Sequence, residues 1–165
     1  MEILQVNINK AGYEPEKPII QQIDYSIEAG ELVGLIGPNG AGKSTTIKAI
    51  LGLLKEMDGE IKWTSPNYKY SYIPERPILY DQMTLWEHLE LAGAAFDMEE
   101  QQFHTRAEEL LKQYRLLDVK DELPSHFSKG MQQKIMLILS FLIPTDVYIV
   151  DEPFVGLDPI ATKQF

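Results

Sequence analysis

The chain has 165 residues, 44% of them apolar and 24% charged, a globular composition long enough for one domain with a sizeable core and too short for two ordinary ones. Lys plus Arg number 15 against 25 Asp plus Glu, a formal net charge of −10, which argues against nucleic acid or an anionic membrane surface as the main partner. With no cysteine there is no disulfide, no thiolate metal site and no cysteine nucleophile, a usage that fits a reducing compartment. No apolar run approaches about 18 residues, so no transmembrane helix is expected. Met1-Glu2-Ile3-Leu4 lacks the basic and apolar regions of a signal peptide. The expectation is a soluble, cytosolic protein without internal repeats.

Residues 2–9 alternate Ile3, Leu4, Val6 and Ile8 with polar side chains, which predicts a strand. Ala11-Gly12-Tyr13-Glu14-Pro15 is turn chemistry, and residues 19–27 read as a second strand. After Ala29-Gly30-Glu31 the run Leu32-Val33-Gly34-Leu35-Ile36 has the unbroken apolar character of a buried parallel strand. A glycine-rich loop follows, then a helix expected over about residues 43–54 and broken by Asp58-Gly59. Short strands are expected near 60–63 and 70–73. Pro74 and Pro77 exclude a helix between them. Thr84-Leu85-Trp86-Glu87 is a capping-box pattern that starts a helix at Leu85. Asp97 can cap a second helix reaching about residue 117, with a charged, solvated face. Ser128 can cap a third, ended by Pro144, and Val147-Tyr148-Ile149-Val150 is a further apolar strand leading to Asp151-Glu152.

Three stretches carry chemistry. Gly37-Pro38-Asn39-Gly40-Ala41-Gly42-Lys43-Ser44 matches G-x-x-x-x-G-K-[ST] between an expected strand and an expected helix. Glycines there let backbone N–H groups converge on phosphate oxygens, and the following helix presents its positive end. Lys43 adds a point charge for the β- and γ-phosphates, and Ser44 is the expected Mg²⁺ ligand. The second stretch delivers Asp151 and Glu152 at the C-terminal edge of an apolar strand, where ligands bind in open α/β sheets. Asp151 suits the Mg²⁺ shell, and Glu152 suits polarisation of an attacking water. The third, Phe127-Ser128-Lys129-Gly130-Met131-Gln132-Gln133-Lys134, reads either as a plain helix N-cap or as a second anion-binding helix end.

Taken together, these motifs resemble the ATP-binding subunit of an ABC transporter. Ser128-Lys129-Gly130-Met131-Gln132 resembles the family's Leu-Ser-Gly-Gly-Gln signature, with Phe127, Lys129 and Met131 departing from it and Ser128 and Gly130 kept. Gly156-Leu157-Asp158 matches the D-loop. Tyr13 lies where the family's adenine-stacking aromatic sits, although a lone Tyr beside Gly12 also reads as a surface turn residue. Glu75 stands where most members carry a Gln that senses Mg²⁺ and the membrane partner. The stretch from Tyr72 to Leu89, with the Ser-Lys-Gly-Met signature, is similar to the Ecs-type ATP-binding proteins of Gram-positive bacteria.

The resemblance implies an α/β fold: a P-loop NTPase core, an antiparallel β-subdomain and an inserted helical subdomain. Its expected parts are residues 1–81 (β-subdomain and P-loop core), 82–124 (helical) and 125–165 (signature helix, Walker B strand and D-loop). It implies ATP and Mg²⁺ as ligands. Gly37, Pro38, Asn39, Gly40, Ala41, Gly42, Lys43, Ser44, Thr45, Thr46, Tyr13, Ser128, Gly130 and Asp158 would face the nucleotide. Ser44, Glu75 and Asp151 would face the metal, and Lys43 and Glu152 would carry the catalysis. It further implies a head-to-tail homodimer that hydrolyses ATP to drive a permease subunit, peripheral on the inner face of the membrane. Ile78, Leu79, Tyr80 and Trp86 are the expected apolar docking contacts, or else packing residues of the helical subdomain. His88, His104 and His126 all precede Asp151, so none matches the family's switch histidine. The expectation is therefore a C-terminally truncated module with weak turnover. A non-transport ABC ATPase and a nucleotide-binding regulatory module without turnover stay open as alternatives.

Overall fold

A computed structural model describes residues 1–152, in two compact units, residues 1–68 and residues from 69 onward. In the first unit, β1 (Glu2–Gly12), β2 (Ile20–Glu28) and β3 (Glu56–Trp63) form an antiparallel sheet in the order β2-β1-β3. Val6 stands opposite Tyr25 on one side and Ile61 on the other, so the apolar residues of all three strands share a face. Leu4, Val6 and Ile8 are buried there, while Gln5 and Asn7 point to solvent. α1 (Lys43–Ile50) packs against β1 and buries Ile47, Ala49 and Ile50.

Boundaries in the first unit differ from the sequence expectation for identifiable reasons. α1 stops at Ile50, short of residue 54, because Gly52 takes a left-handed φ of 69°. The Gly52 amide donates to the Ala49 carbonyl and the Leu53 amide to that of Lys48, the paired bonds of a Schellman stop. Gly59 lies inside β3 and marks no break before it. Its φ is 141°, and a Cβ there would fall 2.3 Å from the Asn7 carbonyl oxygen. Ile8 pairs with Gly59 and Lys10 with Asp58, leaving Asn9 as the extra residue of a bulge.

A larger correction concerns residues 32–36. The structure gives them no strand, and Leu32 and Ile36 are 100% and 98% exposed. A parallel strand exists only through hydrogen bonds to its neighbours, and among the described residues no strand pairs with this run.

In the second unit, β4 (Tyr70–Ile73) and β5 (Val147–Val150) pair in parallel, Ile73 opposite Val150. The connection between them carries α2 (Leu85–Ala95), α3 (Glu100–Tyr114) and α4 (Lys129–Leu142). Their apolar faces meet in one core that includes Ile73, Leu89, Phe103, Leu111, Ile135 and Leu137. β5 is less enclosed than four apolar residues suggest: Tyr148 is exposed, and its other three residues are half-buried.

The capping box of α2 is present in both halves, with the Thr84 amide donating to Glu87 Oε2 and the Glu87 amide to Thr84 Oγ1. α3 is capped by Glu99, whose carboxylate accepts from the Gln101 and Gln102 amides, and not by Asp97. It ends before residue 117 because Arg115, at φ 60°, closes it with the same stop geometry that glycine provides in α1. Ser128 caps α4 as expected, its Oγ accepting from the Met131 amide.

Candidate functional site

The first unit holds the phosphate-loop motif. α1 starts at Gly42 with no side-chain cap and no acidic residue in its first turn, so its own sequence does not neutralise its positive end. The motif's glycines are required by geometry. Gly40 and Gly42 sit at φ 83° and 93°, and a Cβ on Gly42 would fall 2.3 Å from Ile20 Cγ2. The Lys43 ammonium folds over its own loop, donating to the carbonyls of Gly37 (3.0 Å) and Pro38 (3.3 Å). Asn39, Gly40 and Ala41 are exposed. Ser44 is half-buried in the first turn, while Thr45 and Thr46 are buried. Thr46 spends both its amide and its hydroxyl on the Gly42 carbonyl.

Tyr13 is exposed beyond β1, and its phenol accepts from Lys48 Nζ at 3.1 Å, with the ammonium 5.2 Å from the ring centroid. Lys48 lies on α1, so Tyr13 and the P-loop helix share a contact that no local sequence pattern announces. A cavity of about 330 Å³ opens nearby, lined by Lys10, Glu14, Lys55 and Asp58 among others, and includes none of the expected site residues.

The second unit holds the expected acidic residues. Because β4 and β5 run parallel with Ile73 beside Val150, Glu75 and Asp151 both follow from the same sheet edge. The Asp151 amide donates to the Ile73 carbonyl at 2.9 Å, carrying the ladder one residue further. Asp151 is buried and Glu152 is exposed. Glu152 takes a left-handed φ of 50°, uncommon for its residue type and a conformation that collects at functional sites. Glu75 is exposed just past the strand. Ser128 and Gly130 open α4, and Gln132 Nε2 fastens that end by donating to the carbonyls of Pro124 (2.8 Å) and Phe127 (3.4 Å).

The four expected docking residues divide. Ile78 and Tyr80 are 75% and 63% exposed, whereas Leu79 and Trp86 pack against the core. Trp86 lies against Phe103 and His104, with the Lys120 ammonium 4.4 Å from its ring. His88 is a packing histidine. Its Nε2 accepts from the Tyr80 amide (2.8 Å), which leaves Nδ1 to donate to the Thr84 carbonyl (2.7 Å). Asp158 and the D-loop lie outside the described residues.

Sequence reasoning passed over Gln133. It sits fully buried on the same α4 stripe as Leu137 and Ser140, and its Nε2 donates to the Pro74 carbonyl. A polar residue at an apolar-phase position was the available signal.

For Mg²⁺, Ser44 belongs to the first unit and Glu75 and Asp151 to the second. All three offer oxygen, the donor type a hard divalent cation takes. No cluster of three acidic or histidine residues exists among the described residues. A phosphate-bound Mg²⁺ does not need one, because phosphate oxygens and water fill most of its shell. Among the described residues no helix is long and apolar enough to cross a membrane.

Comparison with known proteins agrees with these features. The ABC transporter family matches over residues 20–155. The Bacillus subtilis ABC transporter ATP-binding protein YthP is 52% identical over 163 residues, covering 99% of this chain and 68% of that protein. The Bacillus subtilis ABC-type transporter ATP-binding protein EcsA is 41% identical, covering 98% of this chain and 68% of that protein. A solved ATP-binding subunit of an ABC transporter superposes with a TM-score of 0.87 at 40% identity, over 98% of this chain and 70% of that one. Together with the P-loop motif, the acidic residues after β4 and β5 and the Ser128-capped start of α4, these matches show that the chain belongs to the ABC transporter ATP-binding family, whose members bind ATP and are in general ATPases.

Proposed function

We propose that this chain binds ATP with Mg²⁺ through its P-loop, hydrolyses it, and thereby drives a transmembrane permease as one half of a head-to-tail homodimer. The observation that carries the reading is the P-loop itself: glycines at positive φ, an uncapped helix start, and a lysine whose ammonium already lies over the loop. When ATP binds, its phosphate oxygens replace the Gly37 and Pro38 carbonyls as acceptors for Lys43. Residues 37–46 form the cradle, and Tyr13 stacks on the base. We assign the oxygen donors for Mg²⁺ to Ser44, Glu75 and Asp151, and the ion would supply charge neutralisation on the phosphates. Glu152 accepts a proton from the attacking water, and Lys43 steadies charge on the γ-phosphoryl group. Ser128, Gly130 and Asp158 would meet the nucleotide held by the second subunit. Most of the catalysis is then positioning and electrostatics.

Glu152→Gln tests the assignment. ATP affinity is expected to stay within about threefold of the parent while turnover drops at least about a hundredfold. Unchanged turnover would place the base elsewhere.

The proposed permease contact is the exposed pair Ile78 and Tyr80, which would hold the protein on the cytoplasmic face of the membrane. Replacing both with Ala should weaken permease capture and leave ATP affinity unchanged. Equal loss of both would sink the docking assignment.

A further inference from the structure

Gln133 is 1% exposed in the middle of an apolar stripe. A hydrocarbon side chain of similar volume would occupy the same space without losing hydration of an amide, so the amide matters through the bond it makes. That bond runs from Nε2 to the Pro74 carbonyl at 3.5 Å. Pro74 is buried and immediately precedes Glu75. The preceding carbonyl, of Ile73, is taken by the Asp151 amide. Two consecutive carbonyls at the exit of β4 are therefore held from two directions, one by the segment carrying Asp151 and Glu152 and one by the helix that begins at Ser128. Pro74 has no amide hydrogen to add a third tie.

We propose that Gln133 is a positioning residue. By fixing the Pro74 carbonyl to α4 it sets the direction in which the chain leaves β4, and so places the Glu75 carboxylate relative to Asp151. It also makes the Glu75 loop follow any movement of the signature helix. The inference rests on the reading of Glu75 as a residue facing the metal.

The experiment compares the full chain with Gln133→Met, Glu75→Ala and the double variant. It measures kcat and KM for ATP with Mg²⁺, and amide hydrogen exchange without nucleotide. Methionine keeps the volume and removes the donor. Gln133→Met is expected to lower kcat about tenfold with KM within about twofold, and to cost nothing further once Glu75 is Ala. The Asp151 amide, which donates to the Ile73 carbonyl beside Pro74, should exchange about tenfold faster, with that of Leu137 unchanged. Losses that add in the double variant, or unchanged exchange at Asp151, overturn the proposal. Faster exchange throughout α4 also overturns it, since that is a packing defect. Unchanged kcat in Gln133→Met beside an impaired Glu75→Ala overturns the positioning role alone. Unchanged kcat in Glu75→Ala overturns the reading of Glu75, and the proposal with it. If turnover is too slow to measure, the exchange at Asp151 decides.

Discussion

The P-loop of the first unit and the acidic strand ends of the second hold their candidate functional groups by different means. In the P-loop the functional geometry is backbone: Gly40 and Gly42 at positive φ, an uncapped helix start, and a lysine bonded to the carbonyls of its own loop. Nearly everything that shapes it lies within eight consecutive residues. In the second unit Glu75, Asp151 and Ser128 are far apart in sequence, and a packed helical core brings their elements together. Local conformation makes the first site, and burial makes the second. The two should therefore fail in different ways.

The sharpest test of that contrast pairs one substitution from each unit. Leu137→Ala removes a fully buried side chain from the α4 core and should destabilise the second unit by about 3 kcal/mol. Calorimetry or a denaturant melt would show it as a lowered midpoint. Gly42→Ala puts a Cβ at a left-handed position 2.3 Å from Ile20 Cγ2, and should cost the first unit about 2 kcal/mol. Its larger consequence is functional: ATP affinity should collapse in protein that is still folded. If Leu137→Ala abolished ATP affinity at temperatures where the chain stays folded, the distinction between the two sites would be wrong.

A smaller effect comes from the cap of α2. Thr84→Ala should cost about 1 kcal/mol. Glu87 gives this cap a pH dependence, because the hydrogen bonds from the Thr84 backbone and side chain hold its carboxyl below the ordinary carboxylate range. A carboxyl depressed in the folded state contributes stability that is fully present above its ordinary range and lost as the pH falls through the lowered value. A pH series of melts should show that acid-side loss in the parent and not in Glu87→Gln. The same slope in both would remove Glu87 from the cap.

The difference between the units also explains what could be read before the structure. The P-loop, the α2 capping box and the Ser128 cap were legible because each is set by a few adjacent residues. The stop at Gly52 had a local signal as well, but apolar residues beyond it carried the helical reading too far. Arg115 gave none, since a non-glycine residue at positive φ cannot be foreseen from its type. The strand expected over residues 32–36 failed because apolar composition states a wish for burial, while strand identity depends on partners elsewhere in the chain. Gln133 escaped for the same reason: its partner, Pro74, is 59 residues away. Glu152 was found by its place after an apolar strand, whereas its left-handed backbone was not foreseeable.

The most direct test of the central claim is calorimetric ATP binding, with and without Mg²⁺, by the parent chain and by Lys43→Ala. Lys43→Ala removes the ammonium that donates to the Gly37 and Pro38 carbonyls and leaves the buried α1 residues Ile47, Ala49 and Ile50 in place, so both proteins should give a cooperative melt by circular dichroism. The P-loop account predicts binding by the parent and a loss of at least about tenfold in the variant, from the missing charge-assisted bonds to phosphate. Equal binding by both proteins, or none by a parent that melts as a folded protein, would contradict it.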